Sequence, residues 1–288
     1  MLVSTAVAGL IGAVLLAGLL LSAPSRAALG PPPDSLSSAE PVGIPSASGS
    51  LLQGWWLPGR RGAGAVVLMH SVHGNRLGMV RRARLLADRG TAVLLFDFQA
   101  HGESEGRRIT FGKLEALDAA AAVHFARDRA PGERVGALGI SLGGAAALLG
   151  PAPLDVDALV LESVYPDIDA ALANRLRAAL GSIVGPVAAP VLAPLFKLLL
   201  PPILGMRPAE LRPVDRIGEV RAPVLVAAGT ADDRTTLAES QDLFAHVRAP
   251  GTFWPVPGAR HEDLQRFDPV EHERVVLAFL DLHLRQAL

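Results

Sequence analysis

The chain has no cysteine among its 288 residues. This absence excludes disulfide bonds, thiolate metal sites and a cysteine nucleophile. It does not indicate a compartment, because an exported protein can also lack disulfides. Any nucleophilic chemistry must therefore use another type of side chain.

Net charge is also nearly absent. Lysine and arginine together number 27 against 28 aspartate and glutamate residues, which gives a formal net charge of -1. No summed positive field exists to hold a phosphate backbone, so nucleic acid is not an expected partner. Half of the residues are hydrophobic and only 19% are charged, a composition that is typical of a packed globular protein.

The start of the chain is uncharged and mostly apolar over residues 1–21. This length matches the ~20 apolar residues that a membrane-spanning helix needs. Ser25, Arg26 and Ala27 follow in a small-x-small order that resembles a signal-peptidase site, and a proline-rich stretch comes next. Residues 1–29 are therefore predicted to be an N-terminal anchor or signal segment, and residues 30–48 a linker.

An uncleaved anchor is favoured over a cleaved signal. The apolar run is longer than the ~7–15 residues of a signal core and has no basic start. A buried N-terminal helix of the domain is a further alternative. The domain is expected to be membrane-anchored or exported, and to lie outside the cytoplasm.

From residue 49 onward, short β-type runs alternate with helical patterns. Such alternation predicts an α/β domain with a mostly parallel central sheet and helices on both faces. The predicted strands are 51–57, 65–70, 92–97, 134–139, 157–162, 223–228 and 252–256. The predicted helices are 76–89, 111–129, 142–150, 235–247 and 269–286.

The interval 165–215 interrupts this alternation with an apolar segment that contains several prolines. Because proline breaks regular helices, several short helices are expected here. Ligand pockets are commonly apolar, which favours a small helical lid above the active site. A membrane-associated patch is the alternative, and the two interpretations are compatible.

The segment 139–143 reads Gly-Ile-Ser-Leu-Gly and lies between a predicted strand and a predicted helix. This context gives the G-x-S-x-G pattern its meaning, because the serine of a nucleophile elbow sits on a sharp strand-to-helix turn. Ser141 is therefore the predicted nucleophile. The backbone amide of Leu142 would then be one oxyanion donor.

A serine hydroxyl needs a histidine base and an acid that orients the base. Asp232 and Asp233 follow the strand 223–228, and both are candidates for the acid. His261 follows the strand 252–256 and is the predicted general base. The order serine, acid, histidine is the order expected for this type of domain.

The loop after the strand 65–70 is expected to supply the second oxyanion donor. The backbone N–H of Val72 is preferred over that of Ser71. His70 and His73 are interpreted as residues that shape this loop. A zinc site formed by His70, His73 and His101 is a rival that lacks an H-E-x-x-H helix or a carboxylate cluster.

These motifs together resemble the α/β-hydrolase family over nearly all of the chain from about residue 50. The resemblance is carried by HSVHGNR at the end of the strand 65–70, FDFQAHGESEG at 96–106, GISLGG, and the pair GTADD and GARHED. The run at 97–106 looks like a loop of lipases, esterases and the serine aminopeptidase-like branch. In that branch the acid stands three residues after the glycine of G-x-x-D, which selects Asp232. Two departures are Ser71 and Ala100, which stand where glycine is common.

The resemblance implies acyl transfer to a serine, because relatives that act on halides or epoxides have an aspartate where Ser141 stands. Hydrolysis of an ester with a small or medium apolar acyl group is the first hypothesis. A peptidase or amidase is the alternative, with Glu162 and Asp167 as candidate anchors for a substrate amine. A membrane-tethered, non-catalytic binding protein is a third hypothesis, which Ser71 supports. No cofactor and no metal are implied; the expected partners are a small-molecule acyl substrate and a membrane, and the oligomeric state is left open.

Overall fold

The computed structural model describes residues 9, 12, 15–261 and 263–286. Within these ranges no helix is long and apolar enough to cross a membrane. Much of the segment 1–21 lies outside the described residues, so the N-terminal anchor remains a prediction.

The domain is built on an eight-stranded sheet, with a small two-stranded sheet beside it. The strands are β1 (Ser25–Arg26), β2 (Glu40–Pro45), β3 (Leu51–Leu57), β4 (Ala65–Met69), β5 (Ala92–Phe96), β6 (His101–Gly102), β7 (Val135–Ile140), β8 (Ala158–Glu162), β9 (Val224–Gly229) and β10 (Gly251–Val256). The large sheet has the order β10-β9-β8-β7-β4-β5-β3-β2. β3 is antiparallel to both β2 and β5, and the other neighbours are parallel. The predicted fold class is confirmed, and each predicted strand is present to within about one residue at either end.

Helices cover both faces of this sheet. They are α1 (15–21), α2 (Val80–Asp88), α3 (Lys113–Arg129), α4 (Leu142–Leu148), α5 (Ile168–Leu204), α6 (Pro213–Arg216), α7 (Leu237–Ala245), α8 (Leu264–Phe267), α9 (Pro269–His272) and α10 (Ala278–Leu284). Shorter 3-10 turns lie at Asp34–Leu36, Arg76–Met79, Pro208–Glu210 and Ile217–Glu219, and a π-helical turn at Glu273–Leu277 joins α9 to α10. One face packs against α3, α4, α6 and α7, and the other against α2 and the C-terminal helices.

The two hydrophobic cores are separated by the sheet. Along β4, Ala65, Val67 and Met69 belong to one core, whereas Val66 and Leu68 belong to the other. Side chains of a strand alternate between its faces, so a strand that is covered on both sides must be apolar throughout. All five residues of β4 are buried, which explains why the unbroken apolar runs were recognisable as strands.

The linker prediction for residues 30–48 is wrong for residues 40–45. This stretch forms β2, the edge strand, which pairs with β3 from Glu40 opposite Trp56 to Pro45 opposite Leu51. Its prolines, Pro41 and Pro45, looked like signs of a linker. Proline is tolerated at a sheet edge, where one side of the strand needs no hydrogen-bonding partner.

Residues 22–30 are held against the domain. β1 pairs in parallel with β6, and the N–H of Ile109 donates to the carbonyl of Ser22 over 2.8 Å. Farther on, Glu103 Oε1 accepts hydrogen bonds from the N–H groups of Leu29 and Gly30 at 2.8 and 3.2 Å. The end of the predicted anchor segment is therefore part of the folded body.

The predicted lid region is mostly one helical element, α5, with a single break. Gly181 has φ 74° and ψ 177°, a conformation that is essentially restricted to glycine, and it divides α5 into two arms. The arms run antiparallel, because Lys197 Nζ reaches Asp169 Oδ2 at 2.6 Å. A Cβ atom on Gly185 would lie 2.6 Å from the carbonyl oxygen of Arg177, so the arms meet closely beside the break.

The expectation of several short helices is therefore wrong for the second arm. Pro186, Pro190 and Pro194 lie four residues apart, share one face, and are all exposed. The carbonyl groups that lose their amide partners lie on the same exposed side, where water can satisfy them. The helix continues past these prolines for that reason. The same side leaves apolar side chains largely exposed, at Ile183, Val187, Val191 and Leu198.

Candidate active site

Ser141 occupies a strained turn between β7 and α4. Its φ of 50° and ψ of -107° lie outside the usual regions for a residue with a side chain. The turn is secured by the N–H of Ser141, which donates to the carbonyl of Glu162 over 2.8 Å. Strain of this kind persists only where the surrounding structure imposes it, and it is concentrated at functional sites.

The glycines on either side of Ser141 are required by close backbone contacts. A Cβ atom on Gly139 would lie 2.4 Å from the amide nitrogen of Gly144, and one on Gly143 would lie 2.4 Å from the carbonyl oxygen of Met69. Because both contacts are with backbone atoms, a change of side-chain rotamer cannot relieve them. The G-x-S-x-G pattern is thus explained by packing, and it fixes the direction of the serine.

Asp232 and His261 are hydrogen-bonded to each other. His261 Nδ1 lies 2.9 Å from Asp232 Oδ2. A carboxylate can only accept, so Nδ1 donates and Nε2 is left as the basic nitrogen. Asp232 Oδ1 accepts from the N–H groups of Arg234 and Thr235, each at 2.8 Å. Both oxygens of this fully buried carboxylate therefore have defined partners.

Asp233, the competing acid, lies elsewhere. Its side chain is half exposed and pairs at the surface with Arg260, at 3.1 Å. The structure therefore places Asp232, and not Asp233, beside His261. The roles of the two residues in catalysis remain predictions from the sequence.

Ser141 and His261 line the same cavity, which has a volume of about 600 Å³. Val72, the predicted oxyanion donor, lines it as well. Leu142 is the first residue of α4, so its N–H has no acceptor within the helix. The cavity wall is mainly apolar, and its lining includes Leu21, Met79, Phe111, Ile140, Ile168, Ala171, Leu172, Ala178 and Ala179.

The histidines of the rival zinc hypothesis lie close together but are engaged in hydrogen bonds. Nε2 of His70 accepts from the N–H of Phe98 at 3.1 Å, so Nδ1 carries the proton and donates to the carbonyl of Ser71. Burial lowers the pKa of His70 to about 3, which keeps the ring neutral. Both nitrogens of His101 are likewise occupied, by the carbonyl of Gln99 and the N–H of His73.

These bonds leave His70 and His101 without a free lone pair for a metal ion. In the described part of the chain, no group of three or more histidine and carboxylate side chains could hold one. His70 instead ties the loop after β4 to Phe98, which matches its predicted loop-shaping role.

The two candidate anchors for a substrate amine lie outside the cavity wall. Glu162 is fully buried and bonded to Arg82 and His272, both at 2.7 Å. Asp167 caps the start of α5 by accepting from the N–H of Ala170. Neither lines the cavity, so their suggested role as anchors is wrong; both carboxylates already have structural partners.

A buried ionic network behind His261 was missed by sequence reasoning. Arg82 binds Glu162 and also Asp263, at 2.8 and 3.0 Å, two residues beyond His261. Burial opposes ionisation of Glu162, but Arg82 and His272 together lower the pKa of its carboxyl group to about 2. The network connects α2, the end of β8, α9 and the histidine loop.

The sequence feature that could have revealed this network is an arginine at a buried position of a helix. Arg82 stands in α2 beside buried Ala83 and one turn before buried Leu86. Arg175 is a second arginine that faces inward, half-buried on α5, and it lines the cavity together with Arg234. Neither arginine of the cavity wall was identified from the sequence.

Comparisons with known proteins agree on the family to which the chain is similar. Residues 61–200 match the model of a family described as serine aminopeptidase, S33. The uncharacterised protein Rv2307c of Mycobacterium tuberculosis is 32% identical over 247 residues, which span 83% of this chain and 79% of that protein. The uncharacterised Bacillus subtilis protein YqkD is 26% identical over 242 residues, with 83% and 78% covered.

Among solved structures, the Pyrococcus furiosus esterase Pf2001 superimposes with a TM-score of 0.74 at 25% sequence identity. The match covers 92% of this chain and 98% of the esterase. These similarities agree with the sheet order and with the turn at Ser141. The chain belongs to the α/β-hydrolase family.

Proposed function

We propose that this α/β hydrolase cleaves carboxylic esters by acyl transfer to Ser141. The observation that carries the proposal is the hydrogen-bonded pair of His261 and Asp232, which opens onto the cavity that Ser141 lines. A strained serine and an oriented imidazole that line one cavity are the groups that nucleophilic acyl transfer requires.

In the proposed first half-reaction, Ser141 Oγ attacks the ester carbonyl carbon while His261 Nε2 takes the hydroxyl proton. Asp232 holds the imidazole through Nδ1–H and stabilises the imidazolium that forms. The N–H groups of Leu142 and Val72 would donate to the oxyanion of the tetrahedral intermediate. His261 then returns the proton to the leaving alcohol as the acyl-serine forms.

In the second half-reaction, water attacks the acyl-serine and His261 takes a proton from that water. Collapse of the second tetrahedral intermediate releases the carboxylic acid, and the proton returns to Ser141 Oγ. The complete cycle consumes one water molecule and regenerates the hydroxyl of Ser141 and the neutral ring of His261.

An ester is favoured over a peptide because of what lines the cavity. A substrate amine would need a free carboxylate, yet Asp263, which lines the cavity, is already bound by Arg82. The mainly apolar wall suits a small or medium acyl chain. The Pyrococcus furiosus protein is an esterase, which supports the same choice, whereas the family description keeps a peptidase as the alternative.

The proposal is tested by a fluorophosphonate probe and by p-nitrophenyl butyrate with the matching butyryl anilide. Wild type should be labelled at Ser141 and should hydrolyse the ester much faster than the amide. Ser141→Ala should abolish labelling and reduce kcat by about 10⁴-fold or more. A chain that is not labelled and cleaves neither substrate would support a non-catalytic binding protein, and a faster amide would support a peptidase.

We also propose that the apolar start of the chain inserts into a lipid bilayer, which would hold the mouth of the cavity at the membrane. Leu16, Leu19 and Leu20 are each more than half exposed, and nearby Gly18 and Leu21 line the cavity. The exposed apolar side of the second arm of α5 supports the same orientation. A surface of this kind marks a membrane or protein interaction site.

Vesicle flotation tests this second proposal. The full chain should float with phosphatidylcholine vesicles, and the triple change of Leu16, Leu19 and Leu20 to glutamate should prevent flotation. Val270→Glu with Leu282→Glu is the control, because both residues are exposed on the C-terminal helices. Wild-type protein that stays at the bottom of the gradient would contradict membrane insertion.

A further inference from the structure

The inner face of the first arm of α5 carries one charge in an otherwise apolar row. Ile168, Ala171, Leu172, Ala178 and Ala179 all line the cavity. Arg175 lies in the same row, at the helical spacing where another apolar residue would be expected. The cation therefore faces the cavity that Ser141 also lines.

Arg175 has no acidic partner within the described residues. Its recorded hydrogen bond goes to the carbonyl of Ala171 in its own helix, at 3.3 Å. The arginines of the buried networks behave differently: Arg76 pairs with Asp97 and Glu103, and Arg82 with Glu162 and Asp263. An arginine that is partly buried and unpaired is therefore an exception in this fold.

The carboxylates that surround the cavity are already engaged. Asp232 is the nearby acid, but its oxygens are bound by His261 and by two backbone N–H groups. Asp263 is bound by Arg82. No carboxylate of the described cavity wall is thus left to neutralise Arg175.

A second arginine adds to the positive charge. Arg234 is exposed, lines the same cavity, and forms no side-chain ion pair among the described residues. Burial lowers the pKa of Arg175, Arg234 lowers it further, and Tyr165 and Asp232 oppose this. Both arginines thus line one cavity, and an anion bound there would be attracted by both charges.

A half-buried cation in an apolar wall destabilises the protein, because it has lost part of its hydration and gained no acidic partner. Such a group is typical of a binding site, where the ligand supplies the missing charge. Arginine is well suited to a carboxylate or phosphate, since its planar fork can donate two parallel hydrogen bonds. We propose that Arg175, with Arg234 beside it, binds an anionic group of the substrate.

This inference rests on the proposed ester hydrolysis and makes the substrate class more specific. The substrate would combine an apolar chain, which contacts the inner face of α5, with a carboxylate or phosphate that reaches Arg175. Arg175 is then a specificity-determining residue, and the chemical steps at Ser141 are unchanged.

Matched substrate pairs test the inference. On the acyl side, mono-p-nitrophenyl suberate is compared with p-nitrophenyl octanoate, which has the same chain length without the carboxylate. On the alcohol side, 4-carboxyphenyl butyrate and 4-phosphophenyl butyrate are compared with phenyl butyrate. Wild type should prefer the anionic member of at least one pair by about tenfold or more in kcat/KM, mainly through KM. The pair that shows the preference identifies the kind of anion and its position.

The variants are Arg175→Gln, Arg175→Lys and the control Arg177→Gln. Arg177 lies two residues along the same helix, is exposed, and does not line the cavity. Arg175→Gln should reduce the preference ratio by about tenfold or more, Arg175→Lys should retain part of it, and Arg177→Gln should retain all of it. An unchanged ratio in Arg175→Gln, or a wild type that prefers the neutral esters, would overturn the inference.

A measurement on wild type alone guards against a variant that does not fold. Octylphosphonate should inhibit hydrolysis of p-nitrophenyl octanoate competitively, and at much lower concentration than octanol. Equal inhibition by the two would also overturn the anion site. If neutral esters are cleaved and Ser141 is labelled while these tests fail, the anion site alone is wrong. If no ester is cleaved and no label appears, the proposed function itself fails.

Discussion

At the scale of single residues, Asp232 and Asp233 form a natural matched pair. Asp232→Asn should reduce kcat on p-nitrophenyl butyrate by about 10³- to 10⁴-fold, because an amide can donate to Nδ1 of His261 and favour the wrong tautomer. Asp233→Asn should change kcat by less than about twofold, since Asp233 pairs with Arg260 at the surface. Equal losses in the two variants would contradict the assignment of Asp232.

The positions of residues in and around the cavity that follow strands could be predicted from the sequence, whereas the positions of those on helices could not. Ser141, Asp232 and His261 each come just after a recognisable apolar strand, and the carboxyl ends of parallel strands meet at one edge of the sheet. Arg175 and Arg82 carry no such marker. Which face of a helix lies over a cavity depends on how the helix packs, and this is known only in three dimensions.

At the scale of elements, the turn between β7 and α4 allows a direct test of packing. Gly143→Ala should lower the free energy of unfolding by about 1–3 kcal/mol, because its Cβ atom would meet the backbone of Met69 at 2.4 Å. The distortion should also slow labelling of Ser141 by a fluorophosphonate.

The control for this change is Gly78→Ala. A Cβ atom on Gly78 would have no neighbour within 4 Å, so the melting temperature should stay near that of wild type or rise slightly. A Gly143→Ala protein with wild-type melting temperature and labelling rate would show that the turn can relax, contrary to the geometry.

The structures of β2 and α5 were not predicted correctly, because the effect of a proline depends on whether it faces solvent. In β2, Pro41 and Pro45 occupy a sheet edge, where a missing donor does no harm. In α5, each exposed proline lacks the N–H that would bond the carbonyl four residues earlier, and these carbonyls face water. The break falls instead at Gly181. Both outcomes depend on which side of an element faces solvent, and the sequence around a proline does not specify that side.

At the scale of the whole molecule, the buried network of Arg82, Glu162, Asp263 and His272 should govern stability in acid. The pKa of Glu162 is about 2 in the folded protein, against 4.5 as its ordinary value. A lowered carboxylate pKa stabilises the fold above pH 4.5, and this contribution is lost as the pH falls towards 2. The loss should be on the order of 3 kcal/mol.

Chemical denaturation between pH 7 and pH 2 measures this effect. Glu162→Gln should be less stable at pH 7 by about 3–5 kcal/mol, because Arg82 and His272 lose a partner, and its stability should fall less steeply below pH 4.5. Glu271→Gln removes an exposed carboxylate that pairs with Arg274, and should follow the wild-type curve. Parallel acid slopes for wild type and Glu162→Gln would exclude Glu162 as the main titrating group.

The contacts of residues 18–30 have a practical consequence for anyone who prepares this protein. A leader that looks like an anchor is commonly trimmed to obtain soluble material. Trimming at residue 29 would remove Gly18 and Leu21 from the wall beside Ser141, and with them β1, which borders His101–Gly102. Rates measured on such a shortened chain would describe a cavity that lacks these wall residues. Substrate surveys should therefore use a chain that keeps residues 18–30.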